Sequence, residues 1–127
     1  GVRGKFSSET DQLLAEWREA VRGSEAFRRL ERLLVQEAFA ITRPDGQVVD
    51  YPIDRRHVRY LRGFDELFAR SYAQYIATRS ADAAMLTELR EQQRISALAY
   101  PYQWTDADFG PILMAFDELF RRLGWRP

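Results

Sequence analysis

With one histidine and no cysteine, this chain has few side chains that could do chemistry alone. His57 stands in Asp54-Arg55-Arg56-His57-Val58-Arg59, where an imidazole could act as a general base or as a lone metal ligand. The flanking arginines work against both roles, because nearby positive charge disfavours a bound proton and a bound cation alike. We therefore read His57 as a surface histidine in a basic turn. The absence of cysteine removes disulfides, thiolate zinc sites and thiol nucleophiles. A His-Glu-x-x-His zinc site needs two histidines and cannot be built from this chain. There is no Gly-rich phosphate loop and no serine elbow.

Three other groups carry potential function. Asp65-Glu66 opens an apolar-periodic segment. Acids there compensate the dipole of a helix start, or Glu66, beside the apolar face, points into a cleft. Arg55, Arg56, Arg59 and Arg62 could share one face, either as a site for phosphate or an acidic partner or as a solvated surface partly offset by Asp50 and Asp54. The third group is Tyr100-Pro101-Tyr102-Gln103-Trp104. It could grip a peptide, or it could plug one end of a helical core, and its proline stiffens the loop for either role. The chain has 19 basic and 19 acidic side chains, and this balance argues against broad binding to nucleic acid or anionic membrane.

These groups need elements to position them. The 127 residues, 46% apolar and 13% aromatic, suffice for one domain with its own core. Ser7 or Ser8 can cap a first helix, with Ser8 and Asp11 forming a loose capping box, and Leu13, Leu14, Trp17, Ala20 and Val21 share its inner face. Gly23 breaks it and Ser24 caps a second helix, with Phe27, Leu30, Leu33 and Leu34 inward and Glu25 four residues before Arg29. Arg43-Pro44-Asp45-Gly46 between Ala38–Thr42 and Gln47–Tyr51 predicts a β-hairpin, since proline presets φ and glycine accepts φ > 0. So short a hairpin must pack on helices or on further sheet. Asp54 caps a short basic turn, Gly63 interrupts, and a helix follows from Phe64 to Ala77. Ser80 caps the next helix, whose second half, Arg90 to Arg94, reads as solvated. An aromatic loop spans Ile95 to Trp104. Thr105 or Asp106 then starts a last helix with Phe109, Ile112, Leu113, Phe116, Leu119, Phe120 and Leu123 as a stripe. Asp117–Arg121 and Glu118–Arg122 support this helix, and Gly124 ends it. The expected fold is mainly α, with about five helices and one short hairpin in a single domain covering residues 1–127. No apolar run is long enough to cross a membrane and no signal peptide is visible. Gly1-Val2-Arg3-Gly4 in place of an initiating methionine reads as a cut, tagged or processed start, so the native polypeptide is expected to extend upstream.

Two segments together resemble a known family. One is Glu66-Leu67-Phe68-Ala69-Arg70-Ser71-Tyr72-Ala73-Gln74-Tyr75-Ile76-Ala77. The other is Tyr100-Pro101-Tyr102, followed by the Phe116-Asp117-Glu118-Leu119-Phe120 helix. They resemble the C-terminal part of the zincin-like metallopeptidase domains of phage polyvalent proteins and phage head-morphogenesis (MuF-type) proteins. The resemblance covers the second half of the chain, and Phe6-Ser7-Ser8 with the helices after it matches more loosely. In that family two histidines of His-Glu-x-x-His and a downstream glutamate hold zinc, and the motif glutamate activates the zinc-bound water. The resemblance implies that Glu66 is the downstream metal ligand; from helical spacing Arg70, one turn on, is its candidate partner. Nothing here matches the two histidines or the catalytic glutamate. The chain is therefore expected to be either the C-terminal fragment of such a domain or a metal-less descendant. It would have no catalytic residue and no zinc of its own, would meet either a protein partner or the missing N-terminal part of the domain, and would be cytoplasmic or virion-associated. The rival expectation is a non-enzymatic helical interaction module, a phage structural adaptor or effector fragment. That module would bind a protein partner through Tyr100, Tyr102 and Trp104 or through the basic face of Arg55 and Arg59. An inhibitor of a basic target would call for an acidic surface, which the charge balance does not supply.

Overall fold

The computed structural model describes residues 8–124; Ser7, one of the two caps expected for the first helix, lies outside them. Helix α1 (Ser8–Arg22) buries Leu13, Trp17 and Val21, which recur every four residues along one face. Gly23 ends it, and Ser24 caps α2 (Glu25–Leu33) by accepting the Phe27 N–H at 3.2 Å. Helix α2 puts Phe27, Leu30 and Leu33 into the same core.

Strands β1 (Ala38–Thr42) and β2 (Val48–Pro52) pair antiparallel, with Ala38 opposite Pro52 and Ile41 opposite Val49. The turn is the one that Pro44-Asp45-Gly46 predicts: Gly46 takes φ +86° and Arg43 donates its N–H to the Gln47 carbonyl at 2.8 Å. The hairpin does not join a larger sheet among the described residues. It leans on the aromatic loop of Tyr100 through Phe39, whose ring meets that of Tyr100 edge-on at 5.4 Å.

The basic segment is a full helix, α3 (Arg55–Arg62), capped by Asp54 through the His57 N–H at 3.1 Å. Val58 and Leu61 anchor it in the core. Gly63 both ends α3 and stands at the N-cap of α4 (Phe64–Ser80) in extended conformation. Helix α4 runs past the expected end, and Ala81 then takes a left-handed turn with φ 55°. The cap of α5 (Ala83–Leu98) is accordingly Asp82, accepting the Met85 N–H, and not Ser80, which is still inside α4. Helix α5 also continues through Ile95 to Leu98, where a loop was expected, and within this last stretch Ser96 is buried and donates its hydroxyl to the Gln92 carbonyl at 2.7 Å. Thr105 caps α6 (Asp106–Leu123), and Gly124 closes it at φ 74°. Six helices and one hairpin are thus present among the described residues, one helix more than expected.

The apolar stripe of α6 is the spine of the molecule. Phe109, Ile112, Phe116, Leu119 and Phe120 are buried, and one continuous core cluster joins them to α1, α2, α3 and α4. Two expected side-chain pairings are redirected by this packing, while Glu118–Arg122 forms as expected. Glu25 pairs with Arg32, because Arg29 turns inward to donate to the Ser96 and Ala99 carbonyls. Asp117 pairs with Arg79 across the helix interface and accepts from Tyr75 at 2.8 Å, so Arg121 joins Arg122 on Glu118. No helix among the described residues is long and apolar enough to cross a membrane.

Candidate functional site

Glu66 lies in the first turn of α4, with its side chain a quarter exposed. The turn at Gly63 folds α3 back beside it, so Tyr60, six residues earlier, donates its hydroxyl to Glu66 Oε2 at 2.8 Å. That hydrogen bond, and then the negative charge of the carboxylate, push the Tyr60 hydroxyl above its ordinary pKa. The other oxygen, Oε1, faces Arg70 Nε at 3.4 Å, an ion pair without hydrogen-bond geometry.

Arg70 ties this corner together. Its side chain is only 11% exposed, and burial lowers its pKa while Glu66 acts against that. Nη1 donates to the carbonyls of Pro101 and Tyr102, at 3.1 and 2.9 Å, and Nη2 to that of Leu61. One guanidinium therefore clamps the end of α3 and the aromatic loop onto α4. The fork of donors suits this task in a way an ammonium would not.

The aromatic loop packs around this clamp. Trp104 is 2% exposed, donates its indole N–H to Ser24 Oγ at 3.0 Å, and has its backbone held in both directions by the Gln74 side chain. It belongs to the core, so its assignment as a partner-binding residue is corrected: burial and satisfied polar groups leave it nothing to offer a partner. Tyr100 and Tyr102 are half-buried. Tyr100 accepts the Asp54 N–H at 3.0 Å, and Tyr102 shares a hydrogen bond with His57 Nε2 at 3.1 Å. Burial raises the Tyr102 hydroxyl above its ordinary pKa. His57 is likewise no free surface group: its ring lies edge-on to Tyr100 at 5.1 Å and stacks on Tyr60 at 6.3 Å.

The arginine face divides. Arg55 donates to the Leu34 and Gln36 carbonyls at 3.2 and 3.0 Å, and so braces the end of α2. Arg62 pairs with Glu31 at 2.9 Å. Arg56 and Arg59 are exposed. Glu66 and Tyr102 are thus joined through Arg70, Tyr100 and Arg55 lie at the start of α3, Arg59 is exposed on that helix, and Trp104 drops behind into the core.

No family model, curated protein or solved structure matches this chain.

The corner supplies one carboxylate with a supporting shell. Among the described residues no three His, Cys, Asp or Glu side chains converge as a metal site. A carboxylate has about four lone-pair positions, so the contacts from Tyr60 and Arg70 leave Glu66 able to ligate a cation from its open side. Two participants had no signal in the sequence. Tyr60 reaches Glu66 only because Gly63 turns the chain, and Gln74, on the apolar face of α4, acts by matching the Trp104 backbone.

Proposed function

We propose that this chain is the C-terminal, glutamate-bearing part of a zincin-like metallopeptidase domain from a phage- or toxin-associated protein, cytoplasmic or virion-associated. Glu66 would give one zinc ligand, and the two imidazoles and the catalytic carboxylate would come from a His-Glu-x-x-His helix outside this chain. The observation that carries the reading is the posture of Glu66. A ligating carboxylate is oriented by partners on its non-ligating sides, and Glu66 has two of them on a helix, a hydrogen bond from Tyr60 and an ion pair with Arg70. Zinc bound there would polarise a scissile carbonyl and acidify a water. The residues of this chain would orient the ligand and fix the wall behind it, through the Arg70 clamp on Pro101 and Tyr102.

Elemental analysis tests the proposal. The purified chain is expected to carry no stoichiometric zinc. The same chain extended upstream to include a His-Glu-x-x-His segment is expected to carry one zinc, lost on Glu66→Gln. One zinc per unextended chain, or an upstream coding sequence without the motif, defeats the reading.

A second reading, a non-enzymatic helical interaction module, draws support from the same carboxylate: both oxygens of Glu66 already have partners. In that case Glu66 is a structural joint, and Arg59 with the outer face of α3 meets a partner protein.

A further inference from the structure

Away from Glu66, a cleft of about 100 Å³ opens where α1, α3 and α4 meet over the start of α2. Its floor is apolar: Trp17, Phe27 and Leu67 are buried, and Phe64 closes one side with two-fifths of its surface exposed. Its rim is cationic. Arg18 and Arg22 come from α1 and Arg62 from α3. The guanidinium of Arg18 lies 4.9 Å above the Phe64 ring and that of Arg62 lies 5.4 Å above Phe27. Arg62 has Glu31 as a partner, and Arg18 and Arg22 make no ion pair among the described residues. In a chain whose charges cancel overall, this is a local excess of positive charge around an apolar slot.

We propose that this cleft docks an acidic segment of a partner protein, with one aliphatic side chain in the slot and flanking carboxylates on Arg18, Arg22 and Arg62. At about 100 Å³ the cleft has room for one side chain and not for a longer apolar stretch. Arginines resting on ring faces are held in place before binding and present their N–H forks outward to carboxylates. The chain's own first seven residues carry Arg3 and Lys5 and no acid, so their charge does not complement the rim. The inference stands on the cleft alone and is independent of whether Glu66 ligates a metal.

Calorimetric titration of the full chain with a short peptide, one leucine flanked on each side by glutamates, tests the proposal. Binding is expected, and it should weaken at high ionic strength and vanish when the leucine is replaced by glycine or the glutamates by lysines. The double variant Arg18→Glu/Arg22→Glu should lose at least about tenfold in affinity. Arg43→Glu/Arg94→Glu, an equal charge change elsewhere, should not. No binding at millimolar peptide overturns the proposal, and so does affinity indifferent to the leucine or to the cleft arginines. Binding of anionic phospholipid vesicles in place of the peptide, or self-association abolished by the cleft variant, overturns it as well. The peptide replacements need no protein variant, so the result stands even where a substitution impairs folding.

Discussion

Arg70 and Glu66 face each other, yet their removal should have unequal consequences. Arg70 serves three backbone carbonyls from two separate segments, and deleting it leaves buried acceptors unpaired, each costly. Arg70→Met should destabilise by about 3 kcal/mol or more, and Arg70→Lys should recover little, because a compact ammonium does not reproduce the guanidinium's fork of donors. Glu66→Ala removes only a partly exposed acceptor and a long ion pair, and should cost about 1 kcal/mol. Urea unfolding of the three variants checks the order. A loss on Glu66→Ala as large as that on Arg70→Met would make Glu66 a structural joint and would weaken its case as a ligand held in reserve. Glu66 and Arg70 were legible as a pair from their spacing in the sequence. The carbonyls that Arg70 serves were not, since their segments meet only in the folded chain.

Among the elements, α6 is the one whose damage the fold should tolerate least. Phe116 has no exposed surface and packs against Trp17, Phe68, Tyr75 and Phe120, with ring centroids 5.2 to 6.3 Å away. Phe116→Ala should destabilise by about 3–5 kcal/mol, read from the shift of the denaturant midpoint at unchanged slope. Met114, two residues earlier on the same helix, is 70% exposed, and Met114→Ala should change little. The contrast follows from helical periodicity, and for that reason the inner face of α6 could be read in advance. The helix ends between α4 and α5 could not. Ser80, Asp82 and the left-handed Ala81 compete for one turn, and local preference does not say which of two polar residues the tertiary packing will place at the cap.

For the molecule as a whole, stability should fall at alkaline pH through a contact between α4 and α6. Burial and then the hydrogen bond to Asp117 push the Tyr75 hydroxyl up to about 12. The folded protein therefore holds this proton at pH values where the unfolded chain, with an ordinary tyrosine pKa of about 10, has released it. The contribution is fully present below about pH 10 and is lost as pH rises through about 12. Tyr75→Phe should flatten that fall in a stability–pH series without abolishing it, since Tyr60 and Tyr102 are raised as well. An unchanged alkaline limb in Tyr75→Phe would show that the hydroxyl is not held as described. Three properties were determined by the amino-acid order alone: the mainly α class, the hairpin with its Pro-Asp-Gly turn, and the apolar faces that build one core. Each depends on spacing within a few residues, where backbone sterics and helical or strand periodicity act directly. Only the tertiary structure decided that Trp104 is core and not contact surface, that Tyr60 reaches Glu66, that Asp117 turns to Arg79, and that Arg18, Arg22 and Arg62 ring one apolar cleft. Those outcomes depend on which distant groups burial brings together, and a buried polar group takes whichever partner the packing leaves within reach.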